Sequence, residues 1–212
     1  MLAPCCHNAG VQELAVRSAI AARVARDDPH AAETRIVYEL GLCQAEARID
    51  VATINGQLIG WEIKTRSDRL TRLPRQEAVY SRVFDRMWLV AAERHIERAI
   101  GIIPHWWGVL QIDSQSDDCG LRLVRRARLN ENVDPYSLVR LLWREEALEE
   151  LARLGLSTGH RRAPRRVLWK LLADAAPELI SAAYLRARVR ERLKHRDGWR
   201  ADRLPAANGG WS

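Results

Sequence analysis

The stretch that decides the fold runs from Ala47 to Thr65 and reads ARIDVATINGQLIGWEIKT. Apolar and polar residues alternate in both of its halves, 47–54 and 58–65, which is the pattern of half-buried β-strands. Asn55-Gly56, between the halves, is a strong signal for a hairpin turn. The stretch therefore predicts two antiparallel strands joined by a short turn.

The register of this hairpin decides which side chains share a face. A strict two-residue turn would place Asp50 opposite Trp61, whereas a three-residue loop over 55–57, or a bulge, would place Asp50 opposite Glu62. In the second register one face carries charge and small residues that leave space beside it: Arg48, Asp50, Glu62 and Lys64, with Ala52 and Gly60. The other face is apolar and holds Ile49, Val51, Ile59, Trp61 and Ile63. The second register thus separates core from charge, and the site described below depends on it.

The segments around the hairpin predict an α/β sandwich. Apolar residues at helical spacing indicate a helix over 11–25, and RIVYELGL over 35–42 is typical of a strand. Beyond the hairpin we predict a helix over 73–85, strands over 87–92, 107–113 and 121–126, and a short helix over 95–100. Strands that alternate with helices in this way predict a mixed central sheet with helices packed on it.

The character of the sequence changes at 130–135, and the pattern is helical from Tyr136 onward. We predict helices over 136–154, 165–175 and 177–194. The chain therefore divides into a core over 1–130 and a basic, all-helical C-terminal region over 131–212.

The composition sets broad limits on the class of protein. With 212 residues, 47% of them hydrophobic, the chain can bury a core of its own. No apolar run approaches the ~20 residues of a membrane span, and the first residues do not resemble a signal peptide. The four cysteines form no metal-binding spacing, so we expect reduced thiols without a special role. These features predict a cytoplasmic protein that does not enter a membrane.

Positive charge is concentrated at the end of the chain. The net charge is +7, and residues 151–212 hold 14 Lys and Arg against 5 Asp and Glu, which leaves 20 against 22 in the rest. Such asymmetry favours a polyanionic partner, most often a nucleic acid, although a solvated basic helix face explains it equally well. The predicted phosphate contacts are Arg161, Arg162, Arg165 and Arg166, and a second group of cations runs from Arg186 to Lys194.

Asp50, Glu62 and Lys64 are the residue types that phosphodiester hydrolysis requires. Two carboxylates on adjacent strands can share a divalent cation, because hard cations prefer oxygen ligands. A nearby ammonium group can orient the attacking water and offset charge in the transition state. The spacing alone is a weak signal, because alternating charges on a strand more often mark a solvated sheet face.

These residues resemble the PD-(D/E)xK superfamily of nucleases, which has a restriction-endonuclease-like core. The resemblance implies that Asp50 and Glu62 bind Mg²⁺ or Mn²⁺, that the backbone carbonyl of Ile63 adds a ligand, and that Lys64 assists the water. Ile49 stands where the name-giving motif has proline, a position that is loose in the superfamily.

Three further residues extend the resemblance. Glu39 matches an upstream acidic residue that often completes the metal shell. Gln76 and Tyr80, four residues apart and hence on one helix face, resemble the Q-xxx-Y element that flanks the site and contacts DNA. Arg48 is a candidate phosphate contact. Over residues 33–200 the chain is also similar to uncharacterised bacterial and phage proteins with this core and a helical tail.

The expected function is therefore that of a Mg²⁺- or Mn²⁺-dependent deoxyribonuclease, in DNA repair, recombination or phage defence. RNA stays open as a substrate, because no residue selects for the 2′-hydroxyl. A homodimer or a protein partner is also compatible with the sequence. The alternative is a catalytically silent nucleic-acid-binding or protein-interaction module with the same fold.

Overall fold

In the computed structural model of the protein, which describes residues 9–113, 120–176 and 178–196, six strands form one sheet in chain order. The strands are β1 (Arg35–Leu42), β2 (Ala47–Ile54), β3 (Leu58–Lys64), β4 (Arg86–Ala92), β5 (Gly108–Ile112) and β6 (Leu121–Arg125). The helices are α1 (Ala9–Asp27), α2 (Leu73–Tyr80), α3 (Glu93–Ile100), α4 (Pro135–Val139), α5 (Arg144–Arg153), α6 (Arg165–Asp174) and α7 (Ala182–His195).

The sheet is mixed, as the sequence predicts. Strands β3, β4 and β5 run parallel, and α2 and α3 lie between them in the chain. The neighbouring pairs β1–β2, β2–β3 and β5–β6 are antiparallel. The predicted α/β sandwich followed by a helical C-terminal region is confirmed.

Each face of the sheet carries its own apolar cluster. Helix α1 covers one face, where Val16 and Ile20 are fully buried against Trp61 and Ile63. Helix α2 and the C-terminal helices cover the other face, where Tyr80 and Trp169 belong to a single cluster with the sheet. That cluster continues across the predicted boundary at 130, and the division into two units stays a prediction.

The hairpin adopts the register that the proposed site requires. Ile54 pairs with Leu58 and Ala52 with Gly60, so the connecting loop has three residues. The backbone N–H of Asn55 donates to the carbonyl of Gln57 across this loop (3.1 Å). Asp50 and Glu62 therefore lie at matching positions on β2 and β3.

The predicted apolar face is wrong at Ile49. Its side chain lies in the cluster beneath α2, whereas Val51 lies in the cluster beneath α1. The same switch occurs in β1 between Tyr38 and Leu40. Glu39, between them, has a φ of 54°, in the left-handed region that non-glycine residues seldom adopt. This conformation interrupts the two-residue alternation, and a regular strand pattern could not reveal it.

Two further sequence interpretations need correction. Gly60 leaves no space beside the charges, because a Cβ there would lie 2.4 Å from the sulfur of Met87 and 3.1 Å from the ring of Phe84. The second helix ends at Tyr80 rather than at Asp85. Beyond the helix, Asp85 lies just before β4, and its Oδ2 accepts a hydrogen bond from the backbone N–H of Leu58 at the start of β3 (2.8 Å).

The C-terminal helices also differ in their bounds. The predicted helix over 136–154 is two helices, α4 and α5, separated at residues 140–143. Helix α7 begins after Ser181, whose hydroxyl accepts from the backbone N–H of Tyr184 (3.1 Å), and not at 177.

Some interpretations fall outside the described ranges. These are the thiols of Cys5, Cys6 and Cys119. Cys43 is buried and forms no disulfide. Among the described helices, none combines the length and the apolar character that crossing a membrane would take.

Candidate active site

Glu62, Lys64, Gln76 and Tyr80 form one hydrogen-bonded network. The Lys64 ammonium group donates to Oε1 of Glu62 and to Oε1 of Gln76, the latter over 3.1 Å. Oε2 of Glu62 lies 2.8 Å from the Tyr80 hydroxyl, and the Gln76 amide donates to that hydroxyl (3.2 Å). The side chains of Glu62 and Lys64 are 1% and 4% exposed. Strand β3 and helix α2 thus fix a buried ion pair at the cavity.

Asp50 joins this network through the backbone. Its Oδ2 accepts from the N–H of Ile63 over 2.7 Å, which ties β2 to β3 between the two acidic side chains. Burial, and then repulsion by Glu62, raise the pKa of Asp50 to about 8. Burial also raises the pKa of Glu62, against the opposing attraction of Lys64. The two carboxyls therefore stand in a site that disfavours further negative charge.

Tyr80 lies inside the hydrogen-bonded network, beside Glu62. It is fully buried. Burial, followed by the nearby charge of Glu62, raises the pKa of Tyr80, and the phenol keeps its proton. The hydroxyl lies 2.7 Å from the carbonyl of Arg48 as well as beside Glu62. The hydroxyl therefore contacts the carboxylate of Glu62 from within the fold, and the contact of Tyr80 with DNA stays a prediction.

Glu39 lies beside Asp50, as the resemblance implies. One carboxylate oxygen from each of Glu13, Glu39 and Asp50 falls within 4.8 Å of the others. Arg17 donates to Glu13 (2.6 Å) and also to Glu39. Arg48 forms an ion pair with Glu39 over 2.6 Å. The acidic group is therefore partly neutralised by the protein's own arginines.

These side chains line one open cavity of about 550 Å³. Its wall includes the predicted Glu39, Arg48, Asp50, Glu62, Ile63, Lys64 and Gln76. Glu13, Asp68, Arg72 and Arg75 line it as well. The carboxylate oxygens of Asp50 and Glu39, together with the carbonyl of Ile63, are hard ligands suited to a divalent cation.

The predicted phosphate contacts of the C-terminal region lie elsewhere. Arg161, Arg162, Arg165 and Arg166 are exposed, and none of them lines the cavity. The guanidinium group of Arg165 stacks on the Trp169 ring at 4.6 Å. The structure therefore does not bring this group to the candidate site.

The second predicted basic group is engaged within the protein. Arg186 and Arg190 of α7 pair with Asp85 at 3.7 and 3.1 Å. Arg188 and Arg192 pair with Glu150 at 2.9 and 2.5 Å. These ion pairs hold α7 against the rest of the fold, and they explain its basic character without a nucleic acid.

Sequence reasoning did not identify Glu13, Arg17 or Arg75. Glu13 and Arg17 are four residues apart on the polar side of α1, where such pairs are common and mark no function. Arg75 lies next to Gln76, and its nearness to the Q-xxx-Y element was the one available signal.

Comparison with known proteins gives a family, one distantly similar phage protein and one solved structure. The profile of a family described as "Bacteriophage P4 protein cII" matches residues 8–205. "Protein cII" of Enterobacteria phage P4 is 22% identical over 125 residues, or 59% of this chain and 47% of that protein. The chain thus spans about half the length of this curated relative. A solved structure of a protein of unknown function from Silicibacter pomeroyi aligns with a TM-score of 0.39 and 20% identity, over 68% of this chain and 94% of that one.

Proposed function

The chain belongs to the bacteriophage P4 protein cII family, and we propose that it is a metal-dependent nuclease that hydrolyses DNA phosphodiester bonds. The observation that carries this proposal is the convergence of Asp50, Glu62 and Lys64 on one open cavity. Metal-dependent hydrolysis of a phosphodiester needs carboxylate ligands for a cation and a positively charged group near the reacting phosphate. The three side chains supply both.

The donor set fits Mg²⁺ or Mn²⁺. Asp50, Glu62 and the carbonyl of Ile63 would hold the ion, with Glu39 completing its shell. Burial and mutual repulsion disfavour two charged carboxylates here, so a cation beside them would relieve an unfavourable charge. When bound, the ion would neutralise charge on the phosphoryl group and lower the pKa of an attacking water.

Glu13 could add a ligand on the side of Glu39. Its carboxylate lies in the same group of oxygens as those of Glu39 and Asp50. Arg17 holds both glutamates, so a cation in this position would compete with its guanidinium group. The affinity of the site for a metal would therefore depend on the free energy needed to break the ion pairs of Arg17 with Glu13 and Glu39.

Lys64 would orient the attacking water and offset charge in the transition state. Contacts with Glu62 and Gln76 already fix its ammonium group, so little reorganisation would be needed when the substrate binds. Tyr80 would hold Oε2 of Glu62 in place through its retained proton. Gln76, which contacts both Lys64 and Tyr80, would keep the two groups in one geometry.

Cleavage of labelled DNA tests the proposal. Single-stranded, duplex and nicked substrates would be incubated with Mg²⁺ or Mn²⁺ and with wild type, Glu62→Gln or Lys64→Ala. We expect each substitution to reduce cleavage by about 100-fold or more, the scale typical of losing one transition-state contact. Matched RNA substrates would show whether hydrolysis is restricted to DNA.

Glu46→Gln is the matched control, because Glu46 is a carboxylate that lines the same cavity. Its oxygens pair with Arg82 and Arg140 rather than with the network of Glu62. We expect this variant to cut like wild type. Cleavage that is indifferent to Glu62→Gln, or that is absent with both metals, would refute the nuclease; binding without cleavage would instead favour a silent nucleic-acid-binding module.

A further inference from the structure

We infer that Arg72 and Arg75, preceded by Arg69, form the surface that binds the phosphate backbone of a nucleic acid at this cavity. We call these three residues the arginine edge. Arg72 and Arg75 line the cavity that contains Asp50 and Glu62. The inference rests on the proposed function, because the cavity is where the scissile phosphate would lie.

The arginine edge has no ion-pair partner among the residues that the structure describes. All three arginines are exposed, and in the described part of the chain none of them forms an ion pair or a side-chain hydrogen bond. Arg48, by contrast, lines the same cavity but pairs with Glu39. The edge is therefore a source of positive charge at the cavity that no carboxylate of residues 9–113, 120–176 and 178–196 neutralises.

The local backbone explains why these arginines form a row. Arg69 caps a 3₁₀ turn over 70–72, and α2 begins at Leu73. Residues three apart share one side of the chain both in a 3₁₀ turn and in an α-helix. Arg72 and Arg75 therefore share one side of this segment, and Arg69 stands in extended backbone just before the turn.

The row beside the arginines holds the segment in the core. Leu70 and Leu73, one residue after Arg69 and Arg72, are buried. Gln76 follows Arg75 and bonds to Lys64. Leu70, Leu73 and Gln76 thus hold this segment against the core and next to Lys64. The arginine edge therefore lies on a segment that is packed in place and not on a free loop.

The guanidinium groups of the arginine edge suit a ligand that carries phosphate groups. Guanidinium groups match phosphate oxygens in a two-pronged geometry and stay charged at every physiological pH. A row of them beside a site for phosphodiester hydrolysis suits the repeating charge of a nucleic-acid strand. Such contacts add affinity without base specificity, and they release counterions when they form.

Binding measured at several salt concentrations tests the inference. The full chain in EDTA would be titrated against labelled single-stranded DNA, duplex DNA and RNA, and the affinity followed from about 50 to about 200 mM salt. We expect the double variant Arg72→Ala/Arg75→Ala to bind roughly tenfold more weakly. The slope of log K against log salt should fall by about 1.8 for duplex and about 1.4 for single strands, since each phosphate contact contributes about 0.9 or 0.7.

Arg161→Ala/Arg162→Ala is the matched control. It removes the same charge from an exposed site that does not line the cavity. We expect its slope to equal that of wild type, and circular dichroism would confirm that both variants fold. Equal slopes in all three proteins, or an equal fall in both variants, would overturn the inference.

The two proposals fail in different ways. If Glu62→Gln abolishes cleavage but Arg72→Ala/Arg75→Ala leaves the slope of log K against log salt unchanged, the proposed hydrolysis stands and the arginine edge is refuted. If the slope falls as expected but no metal supports cleavage, the edge stands as a binding surface and the nuclease is refuted. A chain that binds none of the three nucleic acids would refute the edge.

Discussion

Two arginine-rich regions of this protein differ in one respect that the sequence does not display. In α7, four arginines at alternate positions, Arg186 to Arg192, all contact carboxylates. In the segment before Gln76, Arg69, Arg72 and Arg75 contact none within the described ranges. The density of arginine is similar, but only the second region has positive charge to offer a ligand.

The spacing in α7 explains the difference. Arg186 and Arg190 are one helical turn apart, as are Arg188 and Arg192, so each pair shares a side of the helix. One pair faces Asp85 and the other faces Glu150, both of which are buried. A cluster of cations thus indicates a binding surface only where the fold places no carboxylate opposite it.

Asp50 in the cavity and Glu150, which faces α7, also differ in how far neighbouring cations compensate their charge. Burial and the repulsion of Glu62 raise the pKa of Asp50 to about 8. Burial acts on Glu150 as well, but hydrogen bonds from Arg188 and Arg192 outweigh it, so the pKa of Glu150 is lowered. The cavity holds in Asp50 a carboxyl whose charge would lack compensation, whereas the contact between α5 and α7 holds charges that are compensated.

The largest expected effect comes from removing Asp85, the carboxylate that pairs with Arg186 and Arg190 of α7. Asp85→Ala should lower the free energy of unfolding by about 3–5 kcal/mol, because it leaves Arg190 without its buried partner. The backbone N–H of Leu58 also loses its acceptor. Urea denaturation monitored by circular dichroism measures the change.

Asp174→Ala serves as the control for this prediction. Asp174 pairs with Lys170 over 2.9 Å, but both side chains are more than half exposed. Exposed pairs contribute about 1 kcal/mol or less. If the two variants lose the same stability, burial does not distinguish the two kinds of ion pair, and the comparison of regions fails.

The strands were predictable because their pattern is local. β1 and β2 have the predicted bounds, and the three-residue loop brings Asp50 and Glu62 together as expected. Charge on one face of the hairpin was only a weak signal for Asp50, Glu62 and Lys64. The resemblance to the PD-(D/E)xK superfamily strengthened that signal and added Gln76 and Glu39.

What could not be predicted depends on contacts between distant segments. Glu13 meets Glu39 only because α1 lies across the sheet. Ile49 lies on the other face of β2 from the predicted one because the alternation is interrupted beside Glu39, which has left-handed backbone although it is not glycine. The end of α2 at Tyr80 precedes the contact of Asp85 with Leu58, and no proline or glycine marks it.

The second expected effect is a loss of stability with rising pH in metal-free buffer. Asp50 keeps its proton in the folded state up to about pH 8, whereas the unfolded carboxyl ionises near pH ~4. The unfolded state therefore releases its proton first, and stability falls as the pH rises through this window, by about 2–4 kcal/mol. Asp50→Asn, which keeps an oxygen for the N–H of Ile63, should remove the part of this dependence that Asp50 contributes and leave the part that comes from the raised pKa of Glu62.

Urea midpoints measured in EDTA between about pH 5 and about pH 8 test this prediction. At the upper end Asp50→Asn should be more stable than wild type. Added Mg²⁺ should stabilise wild type and leave the variant unchanged, if Asp50 binds the ion. Parallel pH profiles for the two proteins would show that Asp50 is not the group responsible.

A smaller effect of opposite sign is expected from Glu150. Its pKa is lowered in the folded state, so its contribution to stability is present above the unfolded pKa of about 4.3 and is lost as the pH falls below it. Wild type should lose more stability than Glu150→Gln between about pH 6 and about pH 3. Denaturation curves of both proteins at the two pH values give the difference, and equal losses would contradict the assignment.

The smallest expected effect is at the arginine edge itself. Arg72→Ala should change the free energy of unfolding by no more than about 0.5 kcal/mol, because its side chain is exposed and contacts no carboxylate. Arg188→Ala should cost more, since it removes two hydrogen bonds to the buried Glu150, of 2.9 and 3.0 Å. Thermal unfolding of both variants makes the comparison. If Arg72→Ala proves as costly as Arg188→Ala, the edge supports the fold, and its charge is not free for a ligand.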